Sequence, residues 1–207
     1  MSDYNLVYLL DNKIYINLTN SCTNNCVFCI RNIKDDVVGA DLFLNNENVC
    51  ASDVISQLQK FIDKMSDEIV FCGYGEPMLK LDVIKEVAKY IKQNFPEIKI
   101  RINTNGHANF VYKRNILPEL KGLIDSLSIS LNAENADVYN KVSMPTIENA
   151  YEIVKDFIRK SVEEGFNTTA TVVTHYKNYA VDVQKCIEIT KSLGAKFRER
   201  PYIENGY

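Results

Sequence analysis

Three cysteines lie within eight residues, in the stretch Cys-Thr-Asn-Asn-Cys-Val-Phe-Cys that runs from Cys22 to Cys29. The middle cysteine is Cys26, so the spacing is Cys-x3-Cys-x2-Cys. The cluster follows an alternating apolar run, Lys13 to Thr19, and the loop after a strand is where a scaffold usually presents a site. A thiolate is a soft ligand that suits iron, zinc and copper. The sequence therefore predicts a metal site in this loop.

The cluster stops at three cysteines, which narrows the kind of metal site. Structural zinc generally fills four tetrahedral positions, and an iron-sulfur cube normally takes four cysteines. The simpler interpretation is three protein ligands and one open coordination position, which marks chemistry rather than scaffolding. A zinc knot, or a set of buried thiols that bind nothing, is the alternative. The other cysteines and histidines belong to no second paired motif: Cys50, Cys72, Cys186, His107 and His175.

The spacing, with an aromatic residue directly before the last cysteine, resembles that of the radical S-adenosylmethionine (radical SAM) enzymes. The resemblance implies a four-iron four-sulfur (4Fe-4S) cluster on Cys22, Cys26 and Cys29, whose open iron chelates the methionine part of S-adenosylmethionine. It also implies reductive cleavage of the sulfonium to a 5'-deoxyadenosyl radical that abstracts hydrogen. Phe28 would pack near the adenine. The resemblance assigns no catalytic residue beyond the cluster.

Length and composition are those of a single globular domain. The chain has 207 residues, of which 46% are hydrophobic and 25% charged, and its formal net charge is -3. It shows no basic footprint for nucleic acid, no secretory leader and no apolar run of membrane-spanning length. We therefore expect one domain over residues 1–207, with neither nucleic acid nor membrane as a partner. We expect it in the cytoplasm, where a tight cysteine cluster binds metal rather than forming disulfides.

Strand and helix patterns alternate along the chain, which predicts a parallel sheet of βα units. The predicted strands are Lys13 to Thr19, Glu68 to Cys72, Lys99 to Thr104, Ile124 to Leu131, Thr168 to Thr174 and Lys196 to Tyr202. The predicted helices are Ala51 to Met65, Leu81 to Asn94, Tyr112 to Lys121, Ile147 to Glu164 and Ala180 to Leu193. The polar segment from Arg31 to Asn48 is predicted to be a long loop beside the cysteines.

The predicted strands are apolar on one face and polar on the other. In the fourth strand, Leu127 and Ile129 alternate with Ser128 and Ser130. A closed eight-stranded barrel fills its interior with apolar layers, and a doubly wound sheet buries both faces. We therefore predict an α/β fold in which parallel strands form a partial TIM-type (β/α)6 barrel, with helices on the outer face and a polar cavity inside. A flat sheet with one solvated face is the alternative, and parallel sheets rarely take that form.

The second predicted strand ends in Gly73-Tyr74-Gly75-Glu76-Pro77. A dinucleotide fingerprint needs a third glycine where this chain has Met78, so a Rossmann site is excluded. The stretch instead resembles the Gly-Gly-Glu-Pro motif of radical SAM enzymes, with one tyrosine inserted. The resemblance places the methionine amino group against Gly73, Gly75 and Glu76.

Other strand ends carry further elements of the resemblance. The third strand ends in Asn103-Thr104-Asn105-Gly106, which resembles the Thr-Asn-Gly ending of the family. The stretch from Ser130 to Asn132 resembles the Ser-Leu-Asp segment of the fourth strand, with asparagine in place of aspartate. The resemblance implies contacts of these side chains with the ribose or the carboxylate of S-adenosylmethionine. It also implies a main-chain contact near Val173 with the adenine.

The resemblance specifies a superfamily but no substrate. It implies a small-molecule or peptidyl substrate and an electron donor such as flavodoxin or ferredoxin. The residues around the cysteines also resemble small TatD-linked members of the superfamily. Arg198 and Arg200 share the predicted inner face, and guanidinium groups match carboxylates and phosphates, so we expect an anionic substrate. The alternatives are an activase that installs a glycyl radical on a partner protein, and a non-catalytic iron-sulfur or zinc binding protein.

Overall fold

The computed structural model describes residues 5–34, 36–37, 39–64 and 67–203. Its strands are β1 (Val7–Leu10), β2 (Lys13–Ile16), β3 (Asp36–Val37), β4 (Ala40–Asp41), β5 (Glu68–Phe71), β6 (Lys99–Thr104), β7 (Ser126–Ser130), β8 (Asn167–Thr174) and β9 (Lys196–Pro201). Its α-helices are α1 (Ala51–Leu58), α2 (Leu81–Asn94), α3 (Ala108–Val111), α4 (Ala136–Ser143), α5 (Ala150–Glu163) and α6 (Val183–Ser192). Short 3-10 helices cover Ile30–Asn32, Gln59–Lys64, Pro77–Lys80 and Leu117–Leu120.

Seven strands form one open sheet in the order β1-β2-β5-β6-β7-β8-β9. Every neighbouring pair from β2 onward is parallel, and only β1 is antiparallel to its neighbour. The parallel strands follow one another in chain order, as the successive βα units of a barrel do. The predicted partial (β/α)6 barrel is therefore confirmed, with one antiparallel strand added at its edge. No helix in the described part of the chain is long and apolar enough to cross a membrane.

The outer face of the sheet carries the hydrophobic core. Alternate strand residues such as Ile16, Ile102 and Ile129 are fully buried there against helix residues such as Val87 and Phe157. Burying an aliphatic or aromatic side chain of this size contributes about 1.5–3 kcal/mol. The alternate strand residues that are apolar in the sequence therefore lie on the face that the helices cover.

The strand residues between these apolar ones face the interior of the barrel and form its polar side. Glu68 accepts hydrogen bonds from Lys13 Nζ (2.7 Å) and Arg101 Nε (3.1 Å), which join β5 to its two neighbours. Arg198 Nη2 on β9 donates to Ser128 Oγ on β7 at 3.0 Å, across the intervening strand β8. A side chain reaches a strand two positions away when the sheet is concave on that face. The inner face is therefore a curved polar lining.

Two helices differ from the sequence prediction. The predicted helix from Tyr112 to Lys121 is wrong: the structure has the short helix α3 before this segment and the 3-10 helix Leu117–Leu120 within it. The Asn109 side chain accepts from the Ile116 backbone at 2.9 Å, and Pro118 lacks a backbone donor, so neither favours a continuous helix. The predicted helix Ala51 to Met65 is α-helical only to Leu58, and Met65 lies outside the described residues.

Besides α3, strand β1, helix α4 and the hairpin β3–β4 were not predicted from the sequence. Strand β1 joins β2 through Asp11 and Asn12, whose φ angles of 49° and 59° suit a tight hairpin. Helix α4 begins after Asn135, whose side chain accepts from the Val138 backbone at 2.9 Å, and ends at Met144 with a left-handed φ of 43°. The hairpin β3–β4 lies inside the segment predicted as a loop. The Asp11-Asn12 pair is a turn signal in the sequence, and Asn135 is a helix-cap signal. Each adjoins an element of eight residues or fewer, in which the hydrophobic periodicity is short.

We predict that Phe157→Ala lowers the free energy of unfolding by about 3–5 kcal/mol, because Phe157 is buried between α5 and the sheet and alanine leaves a cavity. Phe110→Ala is the matched control, because Phe110 is 49% exposed on α3. Urea unfolding followed by circular dichroism measures both. Similar losses in the two variants would contradict the packing described for the outer face.

Candidate active site

A cavity of about 440 Å³ lies at the carboxyl ends of the parallel strands. Its wall includes the three clustered cysteines, Cys22, Cys26 and Cys29. The same cavity is lined by the residues that the resemblance assigns to S-adenosylmethionine: Phe28, Gly73, Gly75, Glu76, Asn103, Ser130, Asn132 and Val173. These residues come from the cysteine loop and from the ends of four separate strands. The fold therefore brings them and the cysteines to one place. Of the two arginines expected on the inner face, Arg200 lines this cavity and Arg198 does not.

Helix α4 holds the cysteine loop by its carboxyl end. The Asn25 backbone donates to the carbonyl of Ser143 at 3.1 Å, and the Val27 backbone donates to the carbonyl of Val142 at 3.0 Å. The last carbonyls of a helix have no partner within the helix and need one elsewhere. The loop supplies these donors, so the loop and the helix end satisfy each other.

Arg31 fixes the loop from the other side. Its Nη1 donates to the carbonyl of Asn20 at 2.9 Å, and its Nη2 donates to the carbonyl of Asn24 at 3.3 Å. These two carbonyls lie on either side of Cys22 in the chain. A planar guanidinium that binds both limits the movement of the first cysteine.

Glycines 73 and 75 permit close contact between the end of β5 and the cysteine loop. A Cβ atom on Gly75 would lie 2.3 Å from the carbonyl oxygen of Thr19 and 2.5 Å from that of Ser21. A Cβ atom on Gly73 would lie 2.0 Å from Asn17 Oδ1. Both positions therefore require glycine for packing, in addition to any contact with a ligand.

The buried carboxylate of Glu76 joins three segments. Oε1 accepts from the Met78 backbone at 3.0 Å and from Thr104 Oγ1 at 2.8 Å, and Oε2 accepts from the Asn105 backbone at 2.7 Å. Desolvation by burial nevertheless raises the pKa of Glu76 to about 7. A cationic group in the cavity would offset that desolvation and favour the charged form.

The partly buried cysteine thiols need a positive partner to ionise. Burial raises the pKa of Cys22 to about 11 and that of Cys26 to about 12, and neighbouring negative charges add to both shifts. Coordinated iron would supply the positive charge that such thiolates lack. Within the described ranges, no three cysteine, histidine or acidic side chains converge on one metal ion.

The other cysteines and His175 take no part in the cysteine cluster. Cys50 is exposed at the start of α1, and Cys186 is buried in the core through α6. Cys72 also lines the cavity, at the end of β5. His175 is exposed, with its side chain 75% accessible.

A chain of buried hydrogen bonds, which the sequence did not reveal, lies behind the cysteine loop. Asn105 Nδ2 donates to Thr23 Oγ1 at 2.8 Å, and Thr23 Oγ1 lies 2.8 Å from His107 Nδ1. His107 Nε2 lies 3.1 Å from the hydroxyl of Tyr139 on α4. We call these four residues the Asn105–Tyr139 chain. Burial lowers the pKa of His107 to about 4, so its imidazole is neutral near pH 7.

Aromatic side chains close the rim beside Phe28. The ring of Tyr176 packs edge-on against Phe28, with centroids 6.0 Å apart, and against Tyr202, with centroids 4.7 Å apart. The residues on either side of Tyr176, His175 and Lys177, have positive φ angles of 61° and 47°. No motif marks this strand end in the sequence, so these aromatic contacts were not predicted.

We predict that His107 makes the metal-free protein less stable in acid. An unfolded histidine titrates near pH 6.5, so a folded pKa of about 4 means that the stabilisation from neutral His107 is present above about pH 6.5 and is lost as the pH falls toward 4. Its size is up to about 3 kcal/mol. Glu76, with a folded pKa of about 7, contributes with the opposite sign between about pH 4.5 and 7. The informative quantity is therefore the difference in stability between wild type and His107→Gln.

Urea unfolding between pH 4 and 8, under reducing conditions, measures that difference. The stability advantage of wild type over His107→Gln should grow as the pH rises from about 4 to 6.5. Exposed His175, changed to Gln, controls for the loss of a histidine outside the chain of hydrogen bonds. A difference that stays constant over this range would contradict the neutral, buried state of His107.

Comparison with known proteins matches residues 16–188 to the model of the radical SAM superfamily. The chain is 27% identical over 159 residues to molybdenum cofactor biosynthesis protein 1 of Drosophila melanogaster, which covers 76% of this chain and 26% of that protein. It is 25% identical over 185 residues to a probable GTP 3',8-cyclase of Methanocaldococcus jannaschii, which covers 88% of this chain and 56% of that protein. The chain thus spans between about a quarter and just over half of the length of these relatives.

The fold also matches solved structures. Streptococcus suis SuiB bound to the precursor peptide SuiA superposes with a TM-score of 0.70 at 16% identity, over 96% of this chain and 41% of that one. An identity this low supports the fold alone. The family match covers 173 of the 207 residues, including the cysteine loop and strands β5 to β8. The chain therefore belongs to the radical SAM superfamily.

Proposed function

We propose that this protein binds a 4Fe-4S cluster on Cys22, Cys26 and Cys29 and uses S-adenosylmethionine to abstract hydrogen from a substrate inside the barrel. The observation that supports this most directly is the meeting of three partly buried thiols with the ends of four strands in one cavity. Superfamily membership supplies the cofactors, a 4Fe-4S cluster and S-adenosylmethionine. When bound, these groups supply a one-electron cleavage of the sulfonium that yields a 5'-deoxyadenosyl radical. We propose that residues 1–207 act as one radical SAM core domain.

The residues around the cavity would hold the methionine part of S-adenosylmethionine. Within the described part of the chain, Glu76 Oε2 accepts from the Asn105 backbone, and its remaining lone pair can accept from an ammonium group as well. The backbone at Gly73 and Gly75 lies at the cavity wall with no side chain in the way. Binding of the ammonium would draw Glu76 to its charged form, because an adjacent cation lowers the pKa of a carboxyl group.

The adenosine part would lie toward the later strands. Phe28 offers an apolar face, and Val173 lines the cavity from β8, three positions along the sheet from β5. Asn103 and Ser130 present polar atoms for the ribose or the carboxylate. Asn132 replaces the aspartate of the family; its Nδ2 donates to Ser143 Oγ at 3.1 Å, so it also connects the end of β7 to α4.

We propose an anionic substrate in the barrel interior. Arg200 lines the cavity. Arg198 lies two residues earlier on β9, farther from the carboxyl end of the strand, and its Nη2 donates to Ser128 Oγ. The inner face has Glu68 as an acidic side chain, and it is already bonded to Lys13 and Arg101. The remaining positive charge favours a carboxylate or phosphate near Arg200.

A peptidyl or protein substrate is the second candidate, as in a glycyl-radical activase. The exposed apolar side chains of Ile33 and Ile203 lie at the cavity mouth and favour it, because exposed apolar groups at a rim suit a macromolecular partner. We further propose a flavodoxin or ferredoxin as the electron donor, in a cytoplasmic setting, and membership of the small TatD-linked subgroup. A non-catalytic binding protein is not supported, because the superfamily matched here consists of enzymes.

We predict that the anaerobically reconstituted protein forms 5'-deoxyadenosine from S-adenosylmethionine and dithionite. Cys26→Ala should lose this product, because it removes one of the three cluster ligands. Cys186→Ala is the matched control: it also removes a buried thiol, but from the core on α6. Liquid chromatography with mass spectrometry measures the product. Equal loss of product in both variants would contradict the proposal. So would a wild-type protein with a loaded cluster that forms no product and whose electron paramagnetic resonance spectrum does not change when S-adenosylmethionine is added.

The anion proposal is tested with inorganic pyrophosphate as the probe. Isothermal titration of the cluster-loaded protein should show that Arg200→Gln weakens binding about tenfold, which corresponds to about 1.4 kcal/mol. Lys191→Gln removes the same charge from the exposed surface of α6 and should leave binding unchanged. Equal effects of the two substitutions would show only a general charge effect and would contradict an anion site at Arg200.

A further inference from the structure

The side chain of Asn105 lies between the cysteine loop and the end of β6. Its Nδ2 donates to Thr23 Oγ1 at 2.8 Å and approaches Cys22 Sγ at 3.7 Å, within hydrogen-bonding range for sulfur. The Asn24 backbone donates to the same sulfur at 3.4 Å. Cys22 therefore receives one donor from the main chain and one from a side chain that can be changed.

The orientation of the Asn105 amide is fixed by its neighbours. Its Oδ1 accepts from the backbone N–H of His107 at 3.0 Å, and this donor would face the NH2 group if the amide were reversed. The backbone N–H of Asn105 is itself held by Glu76 Oε2. The NH2 group therefore points toward Thr23 and Cys22.

The rest of the Asn105–Tyr139 chain supports this orientation. Thr23 Oγ1 accepts from Asn105 and lies 2.8 Å from His107 Nδ1, with which it shares a second hydrogen bond. The other ring nitrogen of His107, Nε2, shares a hydrogen bond with the Tyr139 hydroxyl at 3.1 Å. Asn105, His107 and Tyr139 are all buried. Loss of one member leaves a buried polar group without a partner, which typically costs about 1–3 kcal/mol.

A hydrogen bond to a ligand sulfur has an electronic consequence. An N–H dipole directed at a cluster thiolate stabilises added negative charge, and hydrogen bonds to the sulfurs are among the factors that set the reduction potential of an iron-sulfur cluster. We propose that Asn105, held by Thr23 and His107, tunes the cluster by donating to Cys22 Sγ and so raises its reduction potential. This inference rests on the proposed function, because it requires the cluster on Cys22.

The experiment is a redox titration of the anaerobically reconstituted protein with dithionite, followed by visible absorption and electron paramagnetic resonance. Asn105→Leu has similar volume and no N–H, so its midpoint potential should be lower than that of wild type. Thr23→Val keeps the shape and removes the hydroxyl that orients the amide, so a smaller shift in the same direction is expected. Ser161→Ala is the control, because it removes a buried hydroxyl bonded to Ile158 and Thr168, outside the cavity wall.

The possible outcomes separate the two proposals. If wild type binds no 4Fe-4S cluster, the proposed function fails. If the cluster is present and Asn105→Leu has the wild-type potential, or shifts no more than Ser161→Ala, the tuning role of Asn105 is overturned. If Asn105→Leu does not retain a cluster, Thr23→Val decides, and an unchanged potential in that variant overturns the inference.

Discussion

The site depends on the way the cysteine loop is held between two parts of the fold. On one side, the Glu76 backbone donates to the carbonyl of Ser21 at 2.8 Å, and the absence of a side chain at Gly75 lets the strand end approach the loop. On the other side, Asn25 and Val27 donate to the end of α4. These contacts use the backbone, so the positions of the thiols depend little on side-chain freedom. A precise arrangement of three ligands needs this kind of support.

The same sheet provides a core and a cavity because its two faces differ. The outer face buries branched apolar side chains against helices, while the inner face carries residues such as Glu68, Arg101 and Arg198. Parallel strands place all of their carboxyl ends at one edge. The cysteine loop and the later strand ends therefore meet at that edge although they are far apart in sequence. Charge inside the barrel and thiols at its mouth together suit a polar substrate beneath a cofactor.

The sequence predicted the features that local pattern encodes. Cysteine spacing, alternation within strands such as β7, and the glycines at the end of β5 were all readable in the sequence. Every residue predicted to hold the cluster or S-adenosylmethionine lines the cavity, whereas Arg198 does not. The supports were not readable, because they join distant segments: Thr23 and His107 are 84 positions apart, and Asn24 and Tyr139 are 115. Helix α4 is short and was missed, although its end holds the loop. Such partners follow from tertiary packing rather than from periodicity.

The central claim is that the three thiols leave one iron open to S-adenosylmethionine in this cavity. Electron-nuclear double resonance on the reduced cluster, with S-adenosylmethionine labelled with 15N at its amino group, tests this most directly. A hyperfine coupling from the labelled nitrogen is the predicted result, and Cys26→Ala should lack it. A wild-type spectrum of a reduced 4Fe-4S cluster with no coupling from the bound, labelled molecule would contradict the account.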